Sequence, residues 1–256
     1  MPQEAELLKA VLEKPDVDAP RLAYADWCAS QPDPAIRAKA TVIRNQLLAN
    51  QSGDDYGGPA TEARKLIQQF QTQWIGELAR FVTEVDFHRG FVERVTIACR
   101  RWLESARNLR RLAPVRHLDL IDTGAGFAEA IQSDAMEGIR SLGLMKQGLM
   151  DADLKVLAQS PRLGSLRWLS LVENRITLEG AEGLAGSKML PALHWVNFYG
   201  NPCQPNEKYA HDQGLVVDTW LPPDGVDLEA RFGPLKWLHH PAQHLWDTVP
   251  DRFTMK

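Results

Sequence analysis

Two side chains of catalytic type, His117 and Asp119, stand two residues apart in a short apolar segment. In an extended strand they would point to the same face, with their Cα atoms about 7 Å apart. A histidine and a carboxylate on one open surface can act as a general base and its orienting group. An enzyme with its site on this strand is therefore one hypothesis. However, the sequence contains no Gly-x-Ser-x-Gly string and no phosphate-binding glycine loop, which favours a non-catalytic protein.

Two other groups of polar residues have simpler explanations. His240 and His244 are four residues apart, a spacing that can hold zinc on a helix, but Pro241 lies between them and no nearby cysteine completes a ligand set. Asp16 and Asp18 stand before a predicted helix, where capping and the helix dipole explain acidic residues. We therefore predict no metal, no cofactor and no catalytic residues.

The elements that position His117 and Asp119 belong to an internal repeat of the form apolar-x-x-apolar-x-apolar. Its first residues are separated by 24, 27 and 27 positions, and the last two copies continue to Asn174 and Asn201. The four copies are Val115–Leu120, Ile139–Leu144, Leu166–Leu171 and Leu193–Phe198. The pattern resembles the leucine-rich repeat, in which each unit is one short strand and a returning helix. We predict that both asparagines are structural and bond to backbone groups in the turn after each strand.

The flanking sequence completes the predicted organisation. Phe91–Ile97 fits the repeat frame from Val92 onward and is interpreted as a degenerate first repeat. We predict an α/β fold: a short leucine-rich-repeat solenoid of about five parallel strands with returning helices, preceded by a small helical module. The predicted segments are a module of three short helices (1–50), a flexible linker (51–59), a helix and N-terminal cap (60–90), the repeats (91–203) and a C-terminal cap (204–256). The helix before the repeats is predicted over about 60–81, and the C-terminal cap is predicted to contain a strand at 215–221 and a short helix that ends at Phe232-Gly233.

The N-terminal string Ala19–Trp27 carries a more specific resemblance. Together with Asp16 it resembles the bacterial repeat-companion domain, a helical module often found before leucine-rich repeats. Arg89–Val95 and Glu229–Gly233 are also similar to segments of such proteins, whereas Val42–Leu47 departs from the string that usually follows in the module. The resemblance implies a bacterial protein with this architecture and provides no catalytic residue.

Between the apolar repeat positions, side chains face the concave side of the predicted sheet in three columns. These are Arg94, His117, Ser141, Trp168, Trp195; then Thr96, Asp119, Gly143, Ser170, Asn197; then Ala98, Ile121, Met145, Val172, Tyr199. Because strands lie about 4.8 Å apart, Trp168 and Trp195 would form an exposed apolar patch with their neighbours. The predicted protein-binding residues are Trp168, Trp195, Tyr199, Met145, Val172, Ile121, His117, Asp119 and Arg94. Alternatively, the C-terminal segment folds back and buries the two tryptophans.

Composition narrows the class of partner. The net charge of −4 argues against nucleic acid as a partner, and the arginines of 100–111 are interpreted as a solvated face.

An odd number of widely spaced cysteines, three in all, indicates buried thiols in a reducing compartment. No stretch approaches the roughly 20 apolar residues that cross a bilayer, and the N-terminus lacks a signal-peptide pattern. We expect a cytoplasmic, monomeric protein without membrane contact.

The sequence therefore favours an adaptor that docks another protein on the concave face of its repeats. An inhibitor, an immunity protein or a GTPase regulator that occludes its partner is an alternative within the same class. The enzyme with His117 and Asp119 in its site is the alternative from another class.

Overall fold

The repeat strands and their helices form an α/β fold in a computed structural model that describes residues 2–54, 56–203 and 228–238. The helices are α1 (Pro2–Glu13), α2 (Asp18–Ala29), α3 (Pro34–Ser52), α4 (Gly58–Ile75), α5 (Cys99–Leu112), α6 (Phe127–Gln132), α7 (Asp151–Ala158), α8 (Leu178–Ala185) and α9 (Leu228–Phe232). The strands are β1 (Glu84–His88), β2 (Phe91–Ala98), β3 (His117–Ile121), β4 (Ser141–Gly143), β5 (Trp168–Ser170) and β6 (Trp195–Asn197). They form one six-stranded sheet in chain order, and β3 to β6 pair in parallel.

The register of these parallel strands confirms the alignment of the repeats. His117 pairs with Ser141, Ser141 with Trp168, and Trp168 with Trp195. One residue further along each strand, Leu118 and its counterparts in β4 and β5 are completely buried. The apolar repeat positions therefore form the core between the sheet and the returning helices, as the period of the sequence predicts.

The three predicted N-terminal helices are confirmed, although α3 is longer than expected and continues through Ser52. The Asp33 carboxylate caps α3 by accepting a hydrogen bond from Ala35 N at 2.7 Å. The predicted capping role of Asp18 is wrong, because Asp18 is the first residue of α2 and the cap residue before it makes no side-chain bond. The predicted flexible linker 51–59 is also shorter in the structure, since α4 already begins at Gly58.

A hairpin replaces a portion of the predicted N-terminal cap. The helix expected over residues 60–81 ends as α4 at Ile75, a 3₁₀ turn follows, and Glu84–His88 is a strand that the sequence reasoning missed. Its connection to β2 consists of two residues, Arg89 and Gly90, with φ angles of 48° and 85°. Two successive positive φ angles are typical of the tight turn that matches the twist of paired strands.

Gly90 holds this hairpin turn against α3. A Cβ atom at Gly90 would lie 2.0 Å from Ile43 Cγ1 and 2.8 Å from Ile43 Cα, so no larger residue fits. The Gln46 side chain accepts a hydrogen bond from Gly90 N and donates one to Phe87 O, both at 2.7 Å. The turn is therefore fixed by contact and by hydrogen bonds together.

A buried ionic network joins the same turn to α2. Arg21 Nη2 lies 2.7 Å from Glu93 Oε1, and Arg89 Nη2 lies 3.0 Å from the same oxygen. Both arginines also donate to Pro15 O at 2.8 Å, and Arg21 donates to Arg89 O at 3.1 Å. The guanidinium of Arg21 stacks on the Phe91 ring at 5.2 Å. These contacts offset part of the cost of removing the charges from water.

The chain divides into two compact units. The first contains Met1–Val95 and Ser105–Val115, and the second contains Thr96–Glu104 and the described residues from Arg116 onward. The boundary runs through β2 and α5, so it does not follow the predicted segment limits. The short C-terminal helix predicted before Gly233 is confirmed as α9, whereas the predicted strand 215–221 and the other parts of the C-terminal cap at 204–227 and 239–256 lie outside the described residues. Within the described ranges, no helix has the length and apolar character needed to cross a membrane.

Candidate functional site on the repeat strands

Asparagine side chains shape the turn after each of the last repeat strands. Asn174 accepts hydrogen bonds from Gln147 N at 3.0 Å and Leu149 N at 3.1 Å, and it donates to Leu144 O and Leu171 O at 2.8 Å. Each bond satisfies a backbone group that the fold removes from water. The predicted structural role of Asn174 is thereby confirmed.

Asn201 has the same structural role in the following repeat. Its amide donates to Leu171 O at 2.7 Å and to Phe198 O at 3.0 Å, and its oxygen accepts from Ile176 N at 3.0 Å. Each asparagine therefore bonds to its own repeat and to the preceding one. This arrangement ties neighbouring strands together and keeps their carboxyl ends aligned.

The backbone turns sharply just beyond the carboxyl end of each strand. One residue per repeat adopts a left-handed conformation there, with φ between 51° and 72°. These residues are Asp122, Lys146, Glu173 and Gly200. Lys146 and Glu173 form an exposed ion pair at 3.3 Å. The turn therefore brings alternating charges to the edge of the sheet, next to the last residue of each column.

The first column of the predicted surface is buried from His117 to Trp195, which corrects the expectation of exposed tryptophans. Trp168 is 6% exposed and Trp195 is 3% exposed. The His194 ring packs edge-on against Trp168 at 5.0 Å between centroids, and the His117 ring lies 6.5 Å from it. Two histidine rings therefore pack against Trp168, and the prediction that both tryptophans are exposed is wrong. The C-terminal segments suggested as a cover, 204–227 and 239–256, lie outside the described residues.

His117 and Ser141 form a pair that the sequence reasoning did not single out. Their Nδ1 and Oγ atoms share a hydrogen bond of 2.8 Å across β3 and β4. The repeat register already placed the two residues side by side, so the pairing could have been found from the alignment. Both side chains are buried, which makes the pair inaccessible to a substrate in this conformation.

The second column is polar and tightly packed. Asp119 is half-buried, and its Oδ1 atom lies 1.9 Å from the position that a Cβ of Gly143 would occupy. A Cβ atom at position 143 would therefore displace the Asp119 carboxylate. The Ser170 hydroxyl is fully buried and has no hydrogen-bond partner within the part of the chain that the structure describes. The side chains of this column therefore pack between the strands and offer little surface to a partner.

The third column reaches the surface. Met145 is 38% exposed, Ile121 and Tyr199 are half-buried, and Val172 is buried. Backbone bonds from Lys146 N to Val172 O and from Glu173 N to Tyr199 O, at 2.9 and 2.7 Å, keep this column in register. Of the predicted binding residues in the second unit, the accessible apolar ones therefore lie at the carboxyl edge of the strands.

Arg94, the remaining predicted residue, lies in the first compact unit. It is half-buried in β2, and its Nη1 atom lies 3.6 Å from Asp86 Oδ2 on β1. The structure therefore assigns it a contact within the hairpin, while the other eight predicted residues belong to β3–β6 and the residues that follow these strands.

No grouping of three or more histidine, cysteine or acidic side chains among the described residues could hold a metal ion. The spacing of His240 and His244 falls outside the described residues. All three cysteines are described, and none of them forms a disulfide.

Comparison with known proteins adds no relative to these observations. None of the known family models matches the chain, and neither the curated proteins nor the solved structures contain a match to it.

Proposed function

We propose that the chain is a non-catalytic interaction module of the leucine-rich-repeat type, with a repeat-companion-like helical module at its N-terminus. In this proposal it docks another protein at the carboxyl edge of its repeat strands, around Ile121, Met145 and Tyr199. The observation that carries the proposal is the exposure of this edge combined with the bonding of Asn174 and Asn201 beneath it. A surface held in place in this way loses little conformational entropy when it binds.

Composition and burial support the other elements of the proposal. The buried cysteines, none of which forms a disulfide, suit a reducing compartment, and we propose a cytoplasmic location on that basis. Aromatic and long apolar side chains such as Tyr199 and Met145 are enriched at protein interfaces, whereas lysine and glutamate are depleted there. The Lys146–Glu173 pair would therefore form the rim of the interface and not its centre.

The test is a substitution at the exposed edge. We would capture partners from the native cell lysate by crosslinking, identify them by mass spectrometry, and measure the affinity of the purified partner for each variant. Met145→Arg should weaken binding at least about tenfold, because it places a charge in an apolar contact. Met189→Arg is the matched control, since Met189 is 43% exposed and lies before β6, away from this edge. It should change the affinity less than about twofold.

Two results would contradict the proposal. The first is a partner that binds the Met145→Arg variant as tightly as the unmodified protein, with both showing the same melting temperature. The second is the failure of any partner to be captured specifically.

An acyl-transfer enzyme is the second candidate, because the His117–Ser141 distance of 2.8 Å suits a base and its nucleophile. Burial of both side chains weighs against it. A fluorophosphonate probe should leave Ser141 unmodified in the folded protein. If Ser141 were labelled, and if the labelling disappeared in a His117→Gln variant, the result would favour a hydrolase over an interaction module.

A further inference from the structure

Helix α5 carries a concentration of positive charge that the proposed function does not use. Within its fourteen residues, CRRWLESARNLRRL, five arginines stand against one glutamate. The whole chain has a net charge of −4, so this helix has the opposite sign to the protein around it. Every cation in the helix is an arginine, whose planar guanidinium can bind a carboxylate through two parallel hydrogen bonds.

The geometry of the helix places three of these charges in one exposed line. The opposite face is buried through Trp102, Ala106 and Leu109. At 100° per residue, Arg100, Arg107 and Arg111 fall within about 40° of one another, over a length of about 16 Å. All three side chains are exposed. We call Arg100, Arg107 and Arg111 the arginine stripe.

The helix dipole and the interactions between charged side chains within α5 explain only part of this arrangement of arginines. Arg111 in the last turn is favoured by the helix dipole, but Arg100 in the first turn is opposed by it. Arg107 and Arg111 are four positions apart, a spacing at which like charges repel. Glu104 pairs with Arg100 at 3.2 Å, whereas neither Arg107 nor Arg111 has an ion pair with a described residue.

We propose that the arginine stripe of α5 binds an acidic segment of a partner protein. On a partner helix, carboxylates four residues apart are separated by about 6 Å, which matches the separation of Arg107 and Arg111 along α5. This contact is independent of the carboxyl edge of the repeat strands.

The same observations argue against a nucleic acid at the stripe. Proteins that bind single strands combine cations with exposed aromatic rings on which the bases stack, whereas the aromatic side chain of α5, Trp102, is completely buried. A long polyanion would also be repelled by the net negative charge of the chain, whereas a short acidic segment would contact only the arginine stripe.

The experiment measures binding of a fluorescein-labelled helical peptide of alanine and glutamate, with glutamates four residues apart, by fluorescence anisotropy at about 20 mM salt. A labelled single-stranded oligonucleotide of equal charge is measured in parallel. Variants are Arg107→Glu/Arg111→Glu, the conservative Arg107→Lys/Arg111→Lys, and the control Lys9→Glu/Lys65→Glu. The control changes two exposed cations of α1 and α4 and alters the net charge by the same amount as the first variant.

We expect the peptide to bind the full chain and the charge-reversal variant to bind at least about tenfold more weakly. The lysine variant should lose about two- to threefold through loss of the bidentate geometry, and the control should stay within about twofold. Absence of peptide binding would overturn the proposal. So would an equal loss in the control, or tighter binding of the oligonucleotide with the same dependence on Arg107 and Arg111. Circular dichroism and melting temperature establish that each variant is folded.

Discussion

The guanidinium of Arg21 lies 2.7 Å from the carboxylate of Glu93, and both side chains are buried. Arg21 lies on α2 and Glu93 lies on β2 of the hairpin, so the pair joins two elements that are distant in the sequence. Burial lowers the pKa of Arg21 to about 10, against the opposing effect of Glu93. The charges of Arg21 and Glu93 therefore neutralise each other inside the first compact unit.

Removal of either partner from this network should destabilise the protein strongly. Glu93→Gln leaves the Arg21 and Arg89 guanidiniums without their shared carboxylate, and we expect a loss of about 3–5 kcal/mol in the free energy of unfolding. Arg21→Met should cost less, because Arg89 still binds both oxygens of Glu93, at 3.0 and 3.1 Å. Urea denaturation followed by circular dichroism measures both effects.

The chain offers a matched control for this prediction. Arg44 and Asp26 also approach to 2.7 Å, but their side chains are 45% and 75% exposed. Because water screens such a pair, Arg44→Met should cost less than about 1 kcal/mol. Similar losses for Arg21→Met and Arg44→Met would contradict the importance of burial.

Gly90 provides a second test of the same unit. Gly90→Ala combines a left-handed backbone with a Cβ that would lie 2.0 Å from Ile43 Cγ1, so we expect a loss of about 3 kcal/mol or more. Gly53→Ala is the comparison, because Gly53 has a similar φ of 70° and open space around the added atom. It should cost about 1–2 kcal/mol, measured by thermal and urea unfolding. Equal costs would show that the contact with Ile43 relaxes freely.

The asparagine bonds predict a large effect in the second unit. Asn174→Ala removes the partners of two backbone N–H groups and two carbonyls, which should lower the free energy of unfolding by about 3 kcal/mol or more. Amide hydrogen exchange should accelerate at Gln147 and Leu149. Asn45→Ala, which removes an exposed bond to Glu62 at 2.8 Å, is the control and should cost less than about 1 kcal/mol. Unchanged exchange at Leu149 would refute the assigned role.

Titration of the Cys28 thiol should make the free energy of unfolding depend on pH in alkaline solution. Burial raises the pKa of its thiol from 9.0 to about 11, with Lys39 acting in the opposite direction and Glu4 in the same one. The folded state therefore holds the proton more tightly than the unfolded chain does. The resulting stability is fully present below pH 9 and is lost as the pH rises through about 11.

The measurement compares unfolding free energies of the unmodified protein and Cys28→Ala at pH 8 and pH 11. Two pKa units correspond to about 2.7 kcal/mol, so the unmodified protein should lose up to about that much more than the variant. Burial also raises the pKa of Tyr24 and lowers the pKa of Lys39, and Cys28 raises both of these pKa values through its charge. The difference between the two proteins therefore reports the Cys28 thiol together with its interactions with these two groups. Parallel losses in the two proteins would contradict this assignment.

The positions of the repeat strands could be predicted because the signal is local. Each copy contains its own apolar residues, and the step between copies sets which residues become neighbours, such as Trp168 and Trp195. Asn174 could be assigned for the same reason, since its partners lie in its own repeat and the preceding one. Register and turn chemistry are thus properties of short segments repeated at a fixed distance.

Tertiary structure decided burial and long-range pairing. Strand alternation determines the face on which Trp168 points but not what packs against it, because burial depends on every segment that approaches from elsewhere in the chain. The contact of Arg21 with Glu93 joins residues 72 positions apart, and the need for glycine at position 90 in the hairpin turn arises from Ile43 on α3. The sequence by itself therefore determined the repeat and its register, whereas only the folded chain decided which side chains on the repeat strands remain accessible.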